Sequence, residues 1–168
     1  NQSLRDVNRG WVEMWDDDAE EFLITFSEEQ PEVAPTLNEE TPFVAFENAS
    51  HRRRAMVRTR PNQGRFRIGV FVRYGCKCAV CEIDNAKLLD ASHLIDKEFE
   101  GSDDVRNGLV LCKNHHTAFD KKLFKINPQT LELAFNEITA DDIKITRTDI
   151  NYLELKPHPD ALKWKWDN

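Results

Sequence analysis

The sequence predicts an α+β fold held by one structural metal ion, and three observations predict it. Cys78-x2-Cys81 and Cys112-x2-His115 form two ligand pairs about thirty residues apart. Strand-like segments at 86–96 and 108–112 lead directly into a short helical pattern at 113–122. A longer helical segment at 62–75 runs up to the first pair. Four cysteines in 168 residues are too few for a disulfide scaffold. Their clustering points to metal and a reducing compartment.

Length favours one domain, or one domain with an appendage, and allows a real hydrophobic core. The chain is 40% hydrophobic and 32% charged, with a net charge of −7. No apolar run approaches the roughly 20 residues needed to span a bilayer, and no leader pattern is present. A cytoplasmic protein without membrane contact is expected. The chain opens on Asn1, not Met, so a piece of a longer protein is also expected.

The net charge conceals a segregation. Residues 1–50 hold 13 acids and 2 bases, residues 51–77 hold 9 bases and no acid, and residues 78–168 hold 17 acids and 12 bases. Phosphate contacts are local, so an acidic total does not exclude nucleic acid.

Taken in order, 1–50 reads as an acidic extension or the remnant of an upstream recognition domain. Trp11, Met14 and Trp15 have helical spacing, whereas Phe22 to Phe26 reads as a strand. "SEEQPEVAPTLNEETP" is a linker or long loop, and "FVAF" at 43–46 a short strand. "HRRRAMVRTRP" at 51–61 is a basic linker, either a solvated connector or a phosphate-contacting arm. In "NQGRFRIGVFVRYG", Asn62 can cap a helix, Phe66, Val70 and Tyr74 share a stripe, and Gly75 ends it. "KEFEGSDDVRN" is a loop. In "KNHHTAFDKK" Asn114 can cap. "LFKIN" and "LELAF" form a hairpin, Thr139 caps a short turn, and "KPHPD" is an extended connector in which His158 has no partner by spacing. His51 has none either.

A CxxC turn points two thiolates inward at one ion. Cys78, Cys81, Cys112 and His115 thus complete a closed tetrahedral site of the kind structural Zn²⁺ prefers. Cys76 is left as a free thiol. Between the pairs lie His93, on a strand, and Asn107. His116 follows His115 directly, about 100° around a helix of roughly 3.6 residues per turn. It shares a face with Asp120 at i+4, which makes a usable pair of metal ligands aimed away from the zinc.

The order His93, Asn107 in "RNGLVLC" and His116 in "CKNHH" resembles the HNH nuclease motif on a ββα-metal fold. The string "FRIGVFVRYGCKCAVC…LLDASHLI…NGLVLCKNHHTAFDKKLFKI" is similar to the branch found in bacterial restriction and defence proteins. There a basic helix precedes the first knuckle and "HxxFD" follows the second. The likeness covers about residues 62–166, and "HPDALKWKW" resembles the ends of such proteins.

The resemblance implies an HNH nuclease domain over 62–168 that cuts DNA. His93 would be the general base, His116 a ligand to catalytic Mg²⁺ or Mn²⁺, and Asn107 the residue that holds His93 in orientation. Where many such proteins carry a metal-binding Asp or His directly before the base, this chain has Ser92, a poor ligand for a hard cation. Asp90, on the Ser92 side of an ideal strand, or Asp120 would supply the carboxylate. Arg52, Arg53, Arg54, Arg58, Arg60, Arg65, Arg67 and Arg73 are the expected DNA contacts, with a homodimer as a further candidate partner. Two other readings remain open. One is a catalytically inactive, zinc-stabilised DNA reader. The other is an interaction module whose acidic region docks on a partner or masks the basic stretch.

Overall fold

The computed structural model describes residues 9–27, 29, 39–47 and 61–168, and these hold three antiparallel strand pairs and three α-helices joined by loops and short 3-10 turns. In chain order they are β1 (Gly10–Asp16), β2 (Glu21–Phe26), α1 (Pro61–Tyr74), β3 (Leu89–His93), β4 (Gly108–Cys112), α2 (Lys113–Asp120), β5 (Phe124–Ile126), β6 (Leu133–Phe135) and α3 (Pro159–Asp167). The α+β class is as expected. The basic run from 51 to 60, most of the proline-rich acidic stretch, His51 and the Asn62 cap lie outside the described residues and side chains. No described helix is long and apolar enough to cross a membrane.

The centre is a ββα unit. β3 and β4 pair with Leu89 opposite Cys112 and His93 opposite Gly108. α2 begins at the residue after β4. All five β4 residues are buried, so "GLVLC" reads as one apolar run, not an alternation. α1 lies across this pair. Its expected stripe is buried at Phe66 and Val70, but Ile68 and Phe71 are buried too. The helix is covered from two sides, because the β1–β2 hairpin also packs on it. Gly75 ends it at φ +80°, and its N–H bonds the Phe71 carbonyl at 2.8 Å. That left-handed position favours glycine.

Several local expectations are corrected. The helical spacing of Trp11, Met14 and Trp15 belongs to a strand, β1. Its register shifts between Val12 and Met14. The extra residue, Glu13, stretches the apolar spacing from two to three, and a bulge thereby imitates a helical period. "FVAF" forms one bridge, Phe46 to Gly101, with Glu47 and Ser102 adding bonds on either side. Asn114 does not cap α2. Cys112 occupies the N-cap, and the Asn114 amide donates to the Ile143 carbonyl at 3.2 Å. His158 has partners after all: it accepts from Asp160 N–H to cap α3 and stacks on Phe43 at 3.9 Å. The hairpin at "LFKIN" and "LELAF" forms as β5–β6, and Thr139 accepts from Asp142 N–H as expected.

Gly108 allows α1 to approach β4. A Cβ there would lie 2.5 Å from Val70 Cγ2 and 2.8 Å from Phe66 Cζ. Both rings and branches are locked in the core, so Gly108→Ala is expected to cost about 1–3 kcal/mol by overpacking. Thermal or urea unfolding beside the wild type checks this. An unchanged midpoint would show that α1 is free to shift.

Candidate metal centres

Four donors converge between the first knuckle and the ββα unit. One ligand atom each from Cys78, Cys81, Cys112 and His115 lies within 4.8 Å of the others, and all four residues are buried. Backbone bonds set this up. Ala79 N–H reaches the Val110 carbonyl at 2.8 Å, which ties the knuckle to β4. Cys112 N–H points at Cys78 Sγ at 3.2 Å. His115 Nδ1 stands 3.5 Å from Cys78 Sγ and 3.2 Å from Cys112 Sγ. His115 Nε2 donates to the Ile143 carbonyl at 2.8 Å. A carbonyl only accepts, so this bond fixes the tautomer and leaves Nδ1 as the ligand atom.

Without a cation the three thiols do not all ionise. Burial pushes the Cys78 thiol up, but bonds from His115 and from backbone N–H groups outweigh it and bring it to about 7. Burial pushes Cys81 up to about 12, with the charge on Cys78 adding to the effect, and it raises Cys112 as well. One thiolate is tolerated and further ones are opposed. A soft-accepting divalent ion reverses that order by deprotonating all three. The donor chemistry and closure therefore fit zinc. Cys76 stands outside the cluster as a free thiol.

The C-terminal segment clamps this centre, which spacing alone does not reveal. Arg147 donates to the carbonyls of Cys78 and Cys81, Tyr152 Oη donates to the Ala79 carbonyl at 2.9 Å, and Thr146 N–H reaches the Val80 carbonyl at 3.0 Å.

A second group forms on the other side of α2. His116 Nδ1 lies 3.4 Å from Asp90 Oδ2, and His116 Nε2 lies 3.4 Å from Asp120 Oδ2. The three side chains are 28%, 37% and 45% exposed in the order His116, Asp90, Asp120, so this group opens to solvent where the cysteine cluster is closed. Both ring nitrogens can donate only when the imidazole is protonated. The two carboxylates stand at opposite nitrogens of the ring, so a single cation could take one of those nitrogens and not both. Ser92 is fully buried and its hydroxyl has no partner among the described residues, which removes it from this group. Lys165, itself buried on α3, bonds Asp96 at 3.1 Å and stands 3.8 Å from Asp120.

His93 has a separate set of partners. Its ring stacks on Phe66 with centroids 3.7 Å apart and planes 8° apart. Its Nε2 lies 3.2 Å from Asp103 Oδ1. Asn107 does not bond His93. Fully buried, its amide accepts from Ile95 N–H at 2.9 Å and donates to the carbonyls of Ile95 at 3.1 Å and Ser102 at 2.9 Å.

The arginines of α1 are engaged inside the chain. Arg65 meets Glu13 at 2.6 Å, Arg67 meets Glu21 at 3.0 Å, and Arg73, buried, meets Glu39 and the Lys156 carbonyl. Arg67 also donates to the Leu89 carbonyl at 2.8 Å. The expected DNA role of these three thus meets a fold that already uses them. Arg52, Arg53, Arg54, Arg58 and Arg60 lie outside the described residues.

Removing a ligand from a closed site should unfold the domain, because binding free energy is folding free energy there. Cys112→Ala and His115→Ala should lose the cooperative unfolding transition and the bound zinc. Cys76→Ala should keep both, at one zinc per chain by elemental analysis. A folded, zinc-loaded Cys112→Ala protein would refute the ligand set.

No curated protein matches the chain. Residues 78–127 match the family model described as HNH endonuclease, from the first knuckle cysteine through His93, Asn107 and His116 to just past β5, so this segment is similar to HNH endonuclease domains.

Proposed function

We propose that the chain is a metal-dependent DNA endonuclease, the cleavage domain of a bacterial restriction or defence nuclease. The observation that carries this reading is the gathering of Asp90 and Asp120 around His116 inside the HNH segment. His116, with Asp90 or Asp120, would hold the catalytic Mg²⁺ or Mn²⁺. When bound, that cation neutralises charge on the phosphate and on the departing 3′ oxygen. His93 takes a proton from water. The water oxygen bonds to phosphorus, the bond to the 3′ oxygen breaks, and that oxygen takes up a proton from solvent, leaving a 5′ phosphate.

The cysteine cluster is structural zinc in this reading, and Asn107 keeps its positioning role through the backbone. Residues 1–50 form the acidic extension, whose hairpin Gly10–Phe26 lies on α1. Residues 51–61 form the basic linker, which supplies DNA contacts through Arg52, Arg53, Arg54, Arg58 and Arg60. Residues 62–168 are the nuclease domain, acting in the cytoplasm on DNA chosen by an upstream recogniser.

Plasmid nicking with added Mg²⁺ or Mn²⁺, and without either, tests this. His93→Ala should cut about 10²- to 10⁴-fold slower with zinc retained, the usual loss for a general base. His116→Ala should need more Mg²⁺ for any residual rate. A folded, zinc-loaded wild type that binds DNA without cutting it would instead indicate the inactive reader.

A further inference from the structure

We propose that Asp103 is the positioning residue for His93, holding its ring so that Nδ1 is the atom that takes the proton. This deepens, and rests on, the nuclease reading above. Two contacts together fix an imidazole. Stacking on Phe66 at 3.7 Å and 8° sets the plane of the His93 ring. The bond from Nε2 to Asp103 Oδ1 at 3.2 Å sets its rotation within that plane. Stacking alone would leave the ring free to flip.

The chemistry of Asp103 sets the tautomer. Burial pushes its carboxyl up, but hydrogen bonds from His93 and Lys97 outweigh it and hold the group below the usual aspartate range. An ionised carboxylate only accepts. His93 Nε2 therefore carries the proton, and Nδ1 keeps the lone pair that a base requires. Lys97 fixes the carboxylate in turn, with Nζ 2.8 Å from Asp103 Oδ1 and 2.5 Å from Glu47 Oε1.

Asn107 acts on both members of this pair. Its amide holds Ile95, two residues after His93, and the Ser102 carbonyl, which immediately precedes Asp103. Its own carbonyl accepts from Leu94 N–H at 2.9 Å. One buried amide thus sets the distance between the strand that carries the base and the loop that carries its partner. The Asn107 role is exercised through Asp103, without contact to the imidazole.

The test reads the ring directly. Long-range ¹H–¹⁵N NMR of the full chain, with His93→Ala to assign the signal, reports which nitrogen is protonated. Wild type should show the Nε2–H form. Asp103→Ala should show a mixture, with zinc still at one per chain, and Asp103→Glu should recover part of the wild-type pattern. In parallel, nicking at saturating DNA should fall about 10²-fold in Asp103→Ala, the scale of a misplaced catalytic group, while DNA affinity holds. If Asp103→Ala does not fold, Asp103→Asn takes its place, keeping an acceptor without the charge. A variant with the wild-type tautomer, or with an unchanged saturated rate, would overturn the proposal. A wild type that never cuts would remove the nuclease reading, and the tautomer comparison would still decide what Asp103 does to His93.

Discussion

Three thiols and one imidazole crowded within 4.8 Å are the constraint on which the rest of the structure depends. Burial and mutual repulsion oppose ionising more than one of the thiols, so a cation is what would hold all three as thiolates. With a cation it becomes the junction of three pieces of chain. The knuckle at 78–81 precedes the ββα unit, Cys112 ends β4, and His115 sits in the first turn of α2. The C-terminal segment then closes over the junction through Ile143, Arg147 and Tyr152. Small cores gain much from such a tie, because it removes loop freedom that apolar burial would otherwise have to offset.

Fixing His115 also fixes His116. Adjacent helical residues point about 100° apart, so a helix whose one histidine is locked to the thiols has no rotational freedom left for the other. His116 is thereby presented to Asp90 across the β3 side and to Asp120 one turn later. The closed cluster is built of buried soft donors and the open group of exposed hard ones. The helix separates them by a single residue. Lys165 adds a buried ammonium between Asp96 and Asp120, which links the C-terminal helix to the rim of the open group.

Where one residue type at one spacing dictates geometry, the sequence was readable. CxxC and CxxH left few ways to place four donors, and i, i+4 put His116 and Asp120 on one face. The apolar run "GLVLC" could only be a buried strand, and Gly75 could only end α1. Illegible features depend on partners distant in the chain. Asp103 is one acid among several in "EGSDDVRN", and nothing local says that it meets His93. Asn107 was expected to touch His93 and instead holds the backbone on either side. The bulge at Glu13 made a strand imitate a helix. An ideal strand puts Asp90 on the Ser92 side, but only the fold shows Asp90 beside His116 and Ser92 buried.

Charge shows the same limit most clearly. Counting acids and bases along the chain suggested an acidic extension beside a basic stretch, two regions of opposite sign with separate tasks. In the fold, part of that contrast cancels in place: Glu13, Glu21 and Glu39 each meet one arginine of α1. A buried or half-buried arginine that loses its carboxylate is left desolvated and unpaired, and this costs more than an exposed pair gains. Phosphate cannot simply replace Glu13 and Glu21 without moving the hairpin that brings them. The positive charge that α1 leaves for a polyanion is therefore smaller than the composition implies. For this chain the helix that looked most like a DNA-facing element is in part an internal electrostatic seam.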